Sequence, residues 1–158
     1  MTPDTPREER VAMTFGQRNA WVAAFVMPAA TIAYFAVVLP RLRVQPAAEV
    51  SWVAPMLWTI GATMVGTIIG FILVSIASGI ANRGVLESGE DVRDKQIDRH
   101  GDRLAQSVTA FGTAAVLVLV MVEADHFWIG NALFLIGSVG ATLGSIAKIR
   151  AYHGTFHG

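Results

Sequence analysis

The stretch Gly89–Gln106, GEDVRDKQIDRHGDRLAQ, gathers the residue types that could do chemistry. Five acids (Glu90, Asp91, Asp94, Asp98, Asp102) and four bases (Arg93, Lys95, Arg99, Arg103) fall between Glu90 and Arg103, nine of the chain's 24 charged residues. On a helix, Asp91, Asp94, Asp98 and Asp102 share an arc of about 80°. Lys95, Arg99 and Arg103 recur at every fourth position and form an adjacent stripe. Asp91–Lys95, Lys95–Asp98 and Arg99–Asp102 are then spaced to pair across the two stripes. Three uses fit this pattern. Stacked carboxylates can hold a hard divalent cation or move protons. Segregated stripes can dock a charged partner. A solvated helix laced with ion pairs needs neither.

The interleaved bases neutralise the acids. No nucleophile–base pair, phosphate-cradling loop or zinc-protease motif accompanies them. We therefore read the segment as a non-catalytic interaction surface, with Asp91, Arg93, Asp94, Asp98, Arg99, Asp102 and Arg103 as its contact residues. No enzymatic activity and no cofactor are expected. Among the four histidines, His153 and His157 stand four apart, a spacing that suits two metal ligands on a helix, and His100 could join them. Gly154 and Gly158 disfavour a helix there. The tail is read as solvated and no metal site is assigned.

What positions this segment is a very apolar chain. Its 158 residues are 53% hydrophobic and 15% charged, with mean hydropathy +0.50. Soluble domains carry about 25% charge. The net charge is zero, so no global field draws nucleic acid, and direct nucleic-acid binding is not expected. Absence of cysteine excludes disulfides, thiolate metal sites and cysteine nucleophiles.

The apolar residues form four runs long enough to cross a bilayer, which needs about 20 residues. They are Ala20–Leu39, Ala54–Ala81, Ala105–Val122 and Asn131–Ile149. Residues 1–19 are polar and predict an N-terminal segment rather than a cleaved signal peptide. Residues 82–104 form the charged helix or loop, and 151–158 the tail. Pro28 lies inside the first span, where a membrane helix tolerates it. Pro40 and Pro46 predict an irregular connection before the second span. The fold class expected is all-α: an integral membrane four-helix bundle.

Basic residues orient it. Arg7, Arg10, Arg18, Arg83, Arg93, Lys95, Arg99, Arg103, Lys148 and Arg150 fall on one side, and only Arg41 and Arg43 on the other. The positive-inside rule places both termini and the charged segment in the cytoplasm, an N-in/C-in topology in a cytoplasmic membrane. Gly66-x-x-x-Gly70 and Gly140-x-x-x-Gly144, with Gly137 on a neighbouring ridge, predict close helix contacts. Those contacts can lie within one bundle or at a homodimer seam. The middles of the spans contain no Asp, Glu, Lys, Arg or His, which argues against an ion pump or a proton-coupled transporter.

The runs DVRDKQIDRHGDR (Asp91–Arg103) and HFWIGNALFLIGSVGATLGSIAKIRAYHG (His126–Gly154) resemble a family of small bacterial four-helix membrane proteins, frequent in actinobacteria. Matching positions are Asp91, Arg93, Asp94, Ile97, Gly101, Asp102, Arg103, Phe127, Trp128, Asn131 and Tyr152. Val92, His153 and Gly154 depart from the pattern. The resemblance implies no activity. It implies a partner, since such proteins are often encoded beside helix-turn-helix regulators of the Cro/CI type. The expectation is a bacterial inner-membrane protein, contacting membrane lipids, that presents Glu90–Arg103 to a soluble regulator. The alternatives are a small-solute transporter or channel built as a homodimer, and an accessory subunit of a larger membrane complex.

Overall fold

In a computed structural model the described residues are 14–81 and 92–154. Glu90, Asp91 and His157 lie outside them. Among the described residues the chain is all-α, with four long helices: α1 Phe15–Val38, α2 Val53–Ala81, α3 Val92–Met121 and α4 His126–His153. By length and composition all four are apolar and long enough to cross a membrane.

Local signals set several of the helix ends. Thr14 caps α1: its side chain accepts the Gln17 backbone N–H at 3.3 Å. Thr14-x-x-Gln17 has the capping-box spacing and moves the helix start ahead of the apolar run. Pro28 removes one backbone donor, yet α1 continues to Val38. Pro40 then stands in the first turn of a short 3₁₀ segment, Leu39–Arg43, and a second 3₁₀ turn covers Ala47–Glu49. The Pro40–Trp52 connection is therefore two tight turns. Arg41 ties it by donating from Nη1 to the Ser51 carbonyl at 2.6 Å. Between α3 and α4 the chain reverses through Glu123, whose φ of 55° is left-handed.

The helices pack in the order α2–α1–α4–α3, each neighbouring pair antiparallel. Small residues set two of these seams. A Cβ added to Gly70 would lie 2.9 Å from Val22 Cγ1, and one on Gly66 3.7 Å from Val26 Cγ1. Gly66 and Gly70 thus receive two α1 valines one turn apart. The α3–α4 seam is closer still. A Cβ on Gly144 would meet the Gly101 carbonyl at 2.9 Å and Ala105 Cβ at 3.0 Å. One on Gly140 would meet Thr109 Oγ1 at 2.8 Å. Gly137, on the neighbouring ridge, has nothing within 4 Å of its added Cβ.

One cluster of contacting buried apolar side chains sits at the end away from the charged segment, while Ala20, Val22 and Ile97 are buried elsewhere. Tyr34, Val38, Val50 and Phe127 form the buried cluster, covered by Phe35, Trp52 and Phe134. Tyr34 donates to Asn131 Oδ1 at 2.7 Å, and Asn131 Nδ2 donates to the Phe127 carbonyl at 2.7 Å. The outer helices bury little. None of the apolar window of α2 is buried in the chain, against 22% for α1 and for α4. Trp58, Phe111 and Met121 are at least 80% exposed. That much apolar surface is unfavourable in water and suits hydrocarbon.

Candidate functional site

The charged end brings together the start of α1, the first three turns of α3 and the last turns of α4. α3 runs without a break from Val92 through Gly101. Gly101 is the point where α4 approaches: an added Cβ would lie 2.7 Å from the Gly144 carbonyl and would also strike the Lys148 stem.

The charges on α3 are sorted by face. Asp94 is buried at 5% exposure, and Ile97 and Gly101 beside it are buried too. Thr14 Oγ1 donates to Asp94 Oδ1 over 3.5 Å, a long bond. Asp98 and Asp102 turn to α4, where Lys148 Nζ bridges them at 3.1 and 2.9 Å. Lys95, Arg99 and Arg103 face outward and are exposed. Among the described residues neither Lys95–Asp98 nor Arg99–Asp102 forms an ion pair. A cation on α4 has taken both acids, because helix packing brings Lys148 between them and leaves the α3 bases on the far side.

Of the expected contact residues, then, Lys148 holds Asp98 and Asp102, Asp94 is packed inside, and Arg99 and Arg103 are presented outward. Arg93 donates from Nη2 to the Gly154 carbonyl at 3.4 Å. Asp91 lies outside the described residues. Tyr152 approaches from α4. Its hydroxyl sits over Gly16, near Thr14 and Asp94, and is buried without a well-formed hydrogen bond to either. Arg18 is only 4% exposed, and its Nε has no partner among the described residues.

The arrangement clamps three helix ends together. Within it Lys148 and the carboxylates of Asp98 and Asp102 neutralise one another. Because this Lys148 pair is part-exposed (side chains 19%, 32% and 60% exposed), its net worth is small. Lys148→Met keeps the stem over Gly101 and removes only the charge. We expect it to cost about 1 kcal/mol, read as a lower thermal midpoint in mild detergent, with the difference from wild type shrinking as salt rises.

Metal-binding geometry is not assembled among the described residues: no three His, Asp or Glu side chains converge. His153 Nδ1 lies 2.8 Å from the Ile149 carbonyl, and its ring stands edge-on to Trp21 of α1 at 6.2 Å. His100 instead lines a groove between α3 and α4. Six threonine hydroxyls in the spans are spent locally, whereas Ser75 Oγ is buried with no partner among the described residues. Thr31, Thr59, Thr63, Thr67, Thr109 and Thr142 each donate to the carbonyl four residues back, at 2.7–2.9 Å. A polar path for a solute would need those groups turned toward it.

No family model, no curated protein and no solved structure matches the chain.

Reading the sequence missed Lys148, Thr14 and Arg18. Lys148 carried a usable signal: a cation four residues after Gly144, on the ridge of small residues that predicts a tight seam. Thr14-x-x-Gln17 was equally visible. Arg18 had none, because its burial depends on neighbours distant in the chain.

Proposed function

We propose that this chain is a multi-pass, non-enzymatic protein of a bacterial cytoplasmic membrane, with both termini inside, that docks a soluble partner. Four helices of spanning length support the embedding. The concentration of ten basic residues on one side, against two on the other, supports the orientation.

The observation that carries the docking reading is the sorting of charge on α3. The acids are directed toward α1 and α4, whereas Lys95, Arg99 and Arg103 form one exposed outward stripe. The partner's docking face is therefore acidic. A helix-turn-helix regulator of the kind implied by the resemblance fits if it docks through an acidic face and keeps its basic DNA-reading face free.

The test is charge reversal of the stripe, Lys95→Glu with Arg99→Glu and Arg103→Glu. Capture of a purified helix-turn-helix regulator with an acidic face on immobilised protein should fall at least tenfold, with the thermal midpoint unchanged. Reversal of Asp94 and Asp98 should instead lower the midpoint, because those acids face the helix seams. Undiminished capture by the triple variant sinks the docking reading.

A further inference from the structure

On the side of α3 away from Asp98 and Asp102, the two helices α3 and α4 leave an open groove of about 430 Å³. Its lining includes His100 and Leu104 from α3 and Leu143, Ile146, Arg150 and Gly154 from α4. Arg93 reaches the same place, since its guanidinium donates to the Gly154 carbonyl. On α3, Arg93, His100 and Leu104 lie within about 40° of one another, so they belong to one face.

The groove is graded along its length. From Leu143 to Gly154 α4 rises about 16 Å. The inner part presents Leu104, Leu143 and Ile146, each about two-fifths exposed. The outer part presents Arg93, Arg150 and His100. Among the described residues no carboxylate lines the groove: Asp98 and Asp102 are held by Lys148. An apolar trough that ends in two guanidiniums and an imidazole is complementary to an amphiphile with an anionic head. Guanidinium forks match phosphate oxygens bidentately. Basic pockets between helix ends at the cytoplasmic surface are suited to anionic head groups.

We propose that this groove is a binding site for one anionic phospholipid, its phosphate between Arg93 and Arg150 beside His100, and an acyl chain along Leu104, Ile146 and Leu143. The site rests on the membrane-embedded reading above. It is distinct from Lys95 and Arg99 of the outward stripe, which lie about 100° or more around α3 from the groove face, whereas Arg103 lies about 60° from His100.

The test is native mass spectrometry of the full chain released from detergent after exchange into phosphatidylglycerol or phosphatidylcholine. Wild type should retain one phosphatidylglycerol at least tenfold more than phosphatidylcholine. Arg93→Gln with Arg150→Gln should abolish that preference, and Lys95→Gln with Arg99→Gln should leave it intact. Arg150→Lys, which keeps the charge, should retain part of it and guards against a merely misfolded double variant. Equal retention of the two lipids by wild type overturns the site. So does an equal loss in the Lys95/Arg99 variant, which would mean diffuse attraction, or displacement by glycerol phosphate alone, which would mean a site for free phosphate. A wild-type chain that stays dispersed without detergent overturns the membrane reading along with the site; a detergent-dependent chain without lipid preference overturns the site alone.

Discussion

Gly144→Leu should be among the most damaging single changes in this chain. The Gly101 carbonyl and Ala105 Cβ already stand 2.9 and 3.0 Å from where a Cβ would be, so there is no space for even the first carbon of a side chain. Both neighbours are backbone or the root of a side chain, and neither can swing aside. To admit leucine, α3 must move away from α4. Overpacking of this kind costs about 1–3 kcal/mol in a well-packed interior, and here it also pulls Asp98 and Asp102 from Lys148. Gly101→Leu should do the same from the opposite side of the seam. Gly137→Ala provides the contrast. With nothing within 4 Å, it adds a methyl to empty space and should be neutral or stabilise α4 by up to about 1 kcal/mol. The measurement is loss of helical circular dichroism during denaturant titration in detergent micelles. It also separates two uses of these glycines. If Gly140 and Gly144 formed a dimer seam, Gly144→Leu would yield a stable monomer. An intramolecular seam predicts lower stability whatever the oligomeric state.

How far this fold could be read from sequence depends on the scale of the feature. The four helices were legible because hydrocarbon-length apolar runs leave little choice of structure. Their ends were less so. α1 begins at Phe15 rather than near Ala20 because a cap at Thr14, not hydropathy, decides where it starts. α3 begins thirteen residues before its apolar run at Ala105, since its charged turns are held by contacts with the other helices. The charged segment shows the boundary most clearly. Its two stripes follow from helical period alone. Which stripe faces inward does not, because that depends on where α4 places Lys148. The same holds for the residues that carry the family resemblance. Asp94, Ile97 and Gly101 pack against other helices, Asp102 pairs with Lys148, and Phe127 and Asn131 are buried with Tyr34. Several positions that look like a surface signature are positions of packing, whereas of the outward stripe only Arg103 belongs to the matching set.

Asn131→Ala should produce the other large loss, at the opposite end of the molecule. Tyr34 and Asn131 are buried at 2% and 5% exposure, and their bond joins α1 to α4. Removing the amide strands the Tyr34 hydroxyl among Phe35, Phe127 and Phe134, where little else can accept its proton. An unsatisfied buried hydroxyl costs about 1–3 kcal/mol, and the lost volume adds to it. We expect about 2–3 kcal/mol in total from those terms. Tyr34→Phe alone should cost less, because the Asn131 amide keeps its bond to the Phe127 carbonyl and loses only one donor to Oδ1. The decisive comparison is the double variant Tyr34→Phe with Asn131→Leu, in which no polar group is stranded. Against Asn131→Leu alone, which strands the same hydroxyl, it should recover much of the stability lost, leaving a coupling of about 1 kcal/mol in the cycle closed by Tyr34→Phe, Asn131→Leu and the double variant. Additive losses across that cycle would mean that the hydrogen bond contributes nothing of its own and that the cost is packing alone. The result matters for the charged end as well. If α1 and α4 are locked here through Tyr34 and Asn131, the clamp at Asp94 and Lys148 need only hold the opposite ends of the same pair in register. Small polar interactions then suffice there, which leaves the outward face of α3 available to a partner.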